Sequence, residues 1–242
     1  MNQSSEPRRV LAIDVGGTHV KVLVTGRKAP RKRDSGPSMT ARKMVKAVKD
    51  LANDWEYEAI SIGYPGPVVH GKIVAEPHNL GGGWVGFDFE KAFGCPVEIV
   101  NDAAMQALGS YRGGRMLFLG LGTGLGTTLI VDGTIEPMEL AHLPYRKGKT
   151  YEDYLGERGL ERLGRKKWQK HVHRVAKFLM SALEAEDGVL GGGNAKKLDR
   201  LPPGFRLGSN ANAFTGGFRL WDRERLLQRS GTRRQKSRAR NA

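Results

Sequence analysis

Leu11-Ala12-Ile13-Asp14-Val15-Gly16-Gly17-Thr18-His19-Val20-Lys21 is answered later in the chain by Leu119-Gly120-Leu121-Gly122-Thr123-Gly124-Leu125-Gly126-Thr127-Thr128. In each stretch an aliphatic run breaks into glycines and a threonine, then resumes. Strand, tight glycine turn, strand is the reading this pattern asks for. Glycine lets backbone N–H groups come close to an anion, and threonine adds a hydroxyl donor. One such turn is only a hairpin. Two, with an Asp closing the first strand, point to two half-domains that hold one phosphate chain. Other phosphate loops are excluded by spacing. Lys21 lacks the Gly-x-x-x-x-Gly-Lys-Ser/Thr frame, and counting from Gly122 the sixth position is Thr127, where a dinucleotide fingerprint needs glycine.

Between the hairpins, Val97-Glu98-Ile99-Val100 runs into Asn101-Asp102-Ala103-Ala104-Met105. An apolar strand ends in Asn-Asp and turns at once into an alanine-rich helical pattern. A carboxylate there can cap the helix. Facing a phosphate site, it can instead take the proton from an attacking hydroxyl.

Further strands are expected at 20–25, 58–63, 116–121 and 127–132, with helices at 40–53 and 103–110. Trp168, Val172, Val175, Leu179 and Leu183 recur at helical spacing, so 167–185 reads as an amphipathic helix whose stripe is core. His171 and His173 flank that stripe as boundary residues, and Trp84 reads as core. A short strand at 188–190 and a short helix at 195–198 follow. Alternating strands and helices make the chain α/β. The expected organisation is a flexible start at 1–9, an N-terminal lobe at 10–112, a C-terminal lobe at 113–222 and a disordered basic tail at 223–242.

With 39% hydrophobic residues over 242, the chain can bury a core in each lobe. The only cysteine, Cys95, rules out an internal disulfide and suits a reducing cytoplasm. No apolar run has the length of a membrane span or the form of a secretion signal, so no membrane is expected. The net charge is +15, of which the tail supplies +7. The rest is clustered at Arg27–Arg33, placed in a Pro-containing loop, at Arg146, Lys147 and Lys149, and at Arg165–Lys167. Each run alone reads as solvated surface; together they suggest an extended polyanion.

These elements in this order resemble the ROK sugar kinases of the actin/hexokinase superfamily, most closely the polyphosphate glucokinase branch. The resemblance spans about Val10 to Trp221. Asp14-Val15-Gly16-Gly17-Thr18 is similar to the family's first phosphate motif and Gly120–Gly126 to its second. Ile62-Gly63-Tyr64-Pro65-Gly66-Pro67 resembles its Gly-x-Pro-Gly turn. His78-Asn79-Leu80 with Gly83-Trp84 resembles its sugar loop, and Glu139-Leu140-Ala141-His142 its Glu-x-Gly-His. Leu190-Gly191-Gly192-Gly193 resembles the turn on the adenosine side. Two departures stand out. Ala141 replaces a family glycine, and the basic stretch 143–149 stands where most members carry a cysteine-rich zinc loop. With one cysteine, structural zinc is not expected.

The resemblance implies a two-lobed actin/hexokinase-like (ribonuclease H-like) fold and transfer of a phosphoryl group from polyphosphate or ATP to glucose. It implies Asp102 as general base and a sugar set of Asn79, Asn101, Glu139, His142 and Glu152. Glu152 rests on Glu152-Asp153-Tyr154-Leu155-Gly156 standing where the family has Glu-x-x-Ala-Ser. Phosphate falls to Gly16, Gly17, Thr18, Lys21, Gly122, Thr123 and Gly124, and the nucleotide side to Gly191, Gly192 and Gly193. Asp14 would hold Mg2+ through water. Two alternatives remain open: a kinase for mannose or fructose, and a non-catalytic binder of polyanion or nucleic acid. The family's repressors carry a winged helix ahead of the first phosphate motif, for which nine residues are too few. Nucleic acid is expected only as a side activity of the tail, since no recognised binding motif is present. A homodimer is left open. The basic runs at Arg27–Arg33 and Arg146–Lys149 are the candidate track for a polyphosphate chain.

Overall fold

The computed structural model describes residues 9–222. The expected flexible start, apart from Arg9, and the basic tail at 223–242 lie outside the described residues. Contacts divide the chain into two units. The first takes the described chain through Met105 together with Ala213–Trp221; the second takes Gln106–Asn212 and Asp222. The sequence reading had placed the division at 112/113.

The first unit opens with β1 (Val10–Val15), β2 (His19–Val24) and β3 (Arg31–Asp34), followed by α1 (Ala41–Leu51) and β4 (Ala59–Tyr64). The short hairpin β5 (Val68–Val69) and β6 (Lys72–Ile73), α2 (Phe89–Phe93), β7 (Val97–Asn101) and α3 (Asp102–Ser110) come next, α3 passing into the second unit from Gln106. Its five-stranded sheet has the order β3-β2-β1-β4-β7. The first three strands pair antiparallel, while β1, β4 and β7 pair parallel. Both faces of β1 are buried, which explains its unbroken apolar sequence. Helix α1 buries Ala41, Met44, Val45 and Val48, and the Thr40 hydroxyl caps it by accepting from the Lys43 N–H.

The run at Arg27–Arg33 does not lie wholly in a loop: Arg31–Asp34 forms β3, with Arg33 opposite Val20 and Arg31 opposite Val22. An edge strand buries neither face, so it carries no alternating pattern to be read. Its charges also discourage pairing with another chain.

The second unit contains β8 (Arg115–Leu121), β9 (Leu125–Val131) and β10 (Thr134–Met138). The hairpin β11 (Pro144–Arg146) and β12 (Lys149–Thr150) leads to α4 (Tyr151–Leu155), α5 (Glu157–Leu163) and α6 (Arg165–Ala182). Then come β13 (Asp187–Gly191), a 3-10 turn at Gly193–Lys197, β14 (Phe205–Leu207) and α7 (Asn212–Arg219), most of which returns to the first unit. The sheet order is β10-β9-β8-β13-β14. Three antiparallel strands followed by two parallel ones repeat the plan of the first unit. The two glycine hairpins, β1–β2 and β8–β9, therefore hold the same place in two equivalent sheets.

Four members of the α6 stripe, Trp168, Val172, Val175 and Leu179, are buried, each contributing about 1.5–3 kcal/mol of transfer free energy. The Trp168 indole N–H is satisfied by the Leu155 carbonyl at 2.9 Å. Arg165–Lys167 forms the first turn of this helix rather than a segment ahead of it. Among the described residues no helix is long and apolar enough to cross a membrane.

Candidate active site

In the first hairpin the Gly16 N–H donates to the His19 carbonyl at 3.0 Å and so closes the turn. Ser35, the residue after β3, braces it: its hydroxyl donates to the Gly16 carbonyl at 2.6 Å, and its N–H to the Thr18 carbonyl at 2.9 Å. Gly17 and Thr18 are left exposed at the tip. Antiparallel register places Asp14 directly opposite Lys21, and their side chains form an ion pair at 3.2 Å. Asp14 is nearly buried, and Lys21 keeps about a third of its side chain in solvent (36%). Lys21 is therefore neither a free surface residue nor lost in the core.

The His78–Asn79 segment comes up against this turn. A Cβ at Gly17 would sit 3.3 Å from the Cβ of Asn79, so the glycine allows the His78–Asn79 segment to approach. The loop is closed by a residue the motifs did not single out. Both carboxylate oxygens of Glu76 accept from the Trp84 N–H, at 3.1 and 3.2 Å, and one also accepts from the Val85 N–H at 3.1 Å. Trp84 is fully buried and donates its indole N–H to the Gly81 carbonyl at 2.6 Å. Glu76 together with burial raises the Tyr64 hydroxyl pKa, burial being the larger cause. An acid in front of Pro77 and a triple glycine is the only local sign of this clasp.

At the strand–helix junction, capping falls to Asn101. Its Oδ1 accepts from the N–H groups of Ala103 (2.9 Å) and Ala104 (3.3 Å), and its Nδ2 donates to the Gly66 carbonyl at 3.1 Å. One amide N–H is left for a ligand. Asp102 is the first helical residue, half-buried, and accepts from the Ala103 N–H at 2.7 Å. Gly63 makes room for α3 on β4, since a Cβ there would collide with the end of the Met105 side chain, its Sδ at 3.2 Å.

The second hairpin shows the same economy. The Gly122 N–H turns inward to the Gly124 carbonyl at 3.1 Å, leaving Thr123 exposed at the tip. The Gly122 carbonyl accepts from the Asn194 amide at 3.0 Å and from the Glu157 N–H at 3.0 Å. Glu152 Oε2 accepts from the Leu125 N–H at 3.1 Å. A Cβ at Gly124 would collide with that oxygen and come within 3.2 Å of the Glu152 Cδ. Glu152 is thus tied to the second hairpin, which its place in the sequence motif did not reveal. Gly192, with φ of +80°, lies where a Cβ would meet the Leu121 backbone. Gly191 ends β13 opposite Gly120, and Gly193 opens the 3-10 turn.

Glu139 and His142 form an exposed pair at 3.8 Å across one 3-10 turn. The methyl of Ala141, in place of the family glycine, is buried between them in the core. Asn79, Asn101 and Asp102 belong to the first unit; Glu139, His142 and Glu152 belong to the second. Among the described residues no three His, Cys, Asp or Glu side chains cluster in a way that could hold a metal ion. Asp14 Oδ2 is occupied by Lys21, leaving Oδ1 for a hydrated cation. A single carboxylate fits Mg2+, which sheds its waters reluctantly and uses few protein ligands.

Two equivalent sheets, each presenting a glycine hairpin, with an Asn-Asp junction in the first unit, define the actin/hexokinase-like α/β fold. The chain belongs to the ROK family, whose sequence profile matches residues 10–137. A polyphosphate glucokinase from Mycobacterium tuberculosis is 29% identical over 222 residues, covering 81% of this chain and 82% of that one. Among solved structures, the inorganic polyphosphate/ATP-glucomannokinase from Arthrobacter sp. strain KM superposes with a TM-score of 0.73 at 23% identity. That match covers 87% of this chain and 97% of the other. A ROK family glucokinase from Streptomyces griseus, solved with glucose and AMPPNP, gives 0.68 at 18% identity, covering 88% and 98%.

Proposed function

We propose that this chain is a hexose kinase that transfers the terminal phosphoryl group of inorganic polyphosphate or ATP to the 6-hydroxyl of glucose. The observation that carries the reading is the pair of glycine–threonine hairpins in equivalent positions of two equivalent sheets. It is supported by the family match and by relatives whose names specify glucose, polyphosphate and ATP.

The donor phosphates lie against the hairpin tips. Gly16 and Gly122 spend their N–H groups shaping the turns. The donors left for phosphate are the N–H groups of Gly17, Thr18, Thr123 and Gly124 and the hydroxyls of Thr18 and Thr123. Lys21 adds positive charge, and Asp14 orients a hydrated Mg2+, which neutralises phosphate charge when bound. The turn at Gly191–Gly193, packed on the second hairpin, takes the nucleotide end of ATP. The hexose is held by Asn79, the remaining N–H of Asn101, and Glu139 and His142. Glu152 acts chiefly by fixing the second hairpin, with its other oxygen open to a sugar hydroxyl. Asp102 accepts the proton as the 6-hydroxyl oxygen bonds to the terminal phosphorus and the bridging P–O bond breaks. The single cysteine accords with action in the reducing cytoplasm.

The test is glucose 6-phosphate formation with Mg2+ and either ATP or polyphosphate, run beside mannose and fructose. Turnover of glucose with at least one donor supports the reading. Turnover only with mannose or fructose moves the substrate, and no turnover with any hexose refutes it.

A further inference from the structure

Within the basic run at Arg27–Arg33 the structure pairs Arg31 and Arg33 with acids, which leaves less free charge there for an anion track. Arg31 pairs with Asp54, stacks 4.2 Å over the Trp55 ring and donates to the Leu51 carbonyl. Arg33 stands 3.6 Å from Asp50. The Arg31 guanidinium holds the Asp54 carboxyl down at about 2.

The second unit is different. Helix α6 carries no acidic residue in its 18 positions. Lys166, Lys170, Arg174 and Lys177 are all exposed and recur at helical spacing, which sets them in one row about 16 Å long. Two more arginines join them from neighbouring elements. Arg146, at the end of β11, and Arg162, on α5, act together with Arg174 on His171. His171 is packed between Tyr145 and Tyr154, and its Nδ1 shares a hydrogen bond with the Tyr145 hydroxyl at 3.0 Å. Burial, then those three cations, hold its pKa below the ordinary value. Arg162 lies 4.9 Å over the Tyr154 ring and donates to the Asp153 carbonyl. None of the six Lys and Arg side chains is ion-paired among the described residues. The acid that Arg162 acts on, Asp153, already accepts from the N–H and hydroxyl of Thr150.

Concentrated, unneutralised positive charge of this kind is stabilised by a multivalent anion. The row is long for a triphosphate and suits a linear chain. The arginine on α5 links this charge to the proposed phosphate site: the first residue of α5, Glu157, donates its N–H to the Gly122 and Thr123 carbonyls, and Arg162 lies about 7.5 Å further along that helix. A single-stranded nucleic acid would ask for successive exposed aromatic rings. Tyr151 and Tyr154 are buried instead, and Phe178 is the one exposed ring on α6. We infer that Arg146, Arg162 and the α6 row form a docking surface for the distal part of a long inorganic polyphosphate chain, outside the reach of ATP. The inference rests on the proposed donor site in the same unit.

The test compares wild type with the triple variant Lys170→Gln/Arg174→Gln/Lys177→Gln. Binding of end-labelled long-chain polyphosphate is read by fluorescence polarisation across a salt series, and KM for polyphosphate and for ATP is read with glucose. Polyphosphate binding should weaken about tenfold at low salt, and the log–log salt slope should fall by about 2 as three contacts are lost. KM for ATP should stay within twofold, which also shows that the variant folds. If wild type and variant bind polyphosphate alike, or neither binds it, the surface is refuted. Loss of single-stranded DNA binding with polyphosphate binding intact would also overturn it, in favour of nucleic acid. If wild type binds polyphosphate through these residues but never transfers from it, the surface stands and the donor assignment fails.

Discussion

Gly124→Ala is the sharpest perturbation of the second hairpin. The new methyl meets no backbone; it meets the Glu152 carboxylate, which is held by the Leu125 N–H at 3.1 Å. The carboxylate must leave, and the charge-assisted hydrogen bond goes with it, a loss of about 1.5–3 kcal/mol. For a chain of this size that lowers Tm by about 3–12 °C, at roughly 2–4 °C per kcal/mol. Because Gly124 and Leu125 shape the turn proposed to hold phosphate, KM for the donor should rise while KM for glucose moves less. The decisive assay is a double-mutant cycle with Glu152→Ala, read by thermal or urea unfolding. With the carboxylate gone the alanine has nothing to displace, so Gly124→Ala should cost under about 0.5 kcal/mol in that background. An equal cost in both backgrounds would show that the glycine is needed for its own backbone and that the Glu152 contact is incidental.

Glu76→Ala should open the loop that carries Asn79, raising KM for the hexose about tenfold with kcat and donor KM near wild type. Glu76→Gln, which keeps one acceptor, should recover most of that, and unchanged hexose KM in both would dismiss the clasp. His171 makes a pH prediction. Its pKa is lowered in the folded state, so the unfolded chain takes up the proton first and stability falls as pH drops below about 6.5. His171→Gln should lose less Tm than wild type between pH 7.5 and 5.5; parallel losses would exclude this site as the cause.

Much of this architecture is legible in the chain because it is written locally. The hairpins announce themselves by glycine between aliphatic runs, and the α6 stripe by its spacing, ending within three residues of where the pattern places it. What is not legible depends on partners distant in sequence. Nothing around Arg31 says that it stacks on Trp55 and faces Asp54, because that follows from α1 folding back beside the edge strand. Glu152 reads as a sugar ligand by its position, while its bond to Leu125 exists only once α4 packs on the hairpin. The Asn101-Asp102 pair offers two residues able to cap. Only the structure shows the cap to be Asn101, with Asp102 as the first residue of the helix.

That division of labour makes Asp102→Asn the most direct measurement. Asn is nearly isosteric, and the helix cap provided by Asn101 is untouched, so the fold should hold while the proton acceptor is lost. Glucose 6-phosphate formation should fall about 10²–10⁴-fold in kcat, with Tm and KM for glucose little changed. Activity within a few-fold of wild type in a folded Asp102→Asn protein would contradict the account.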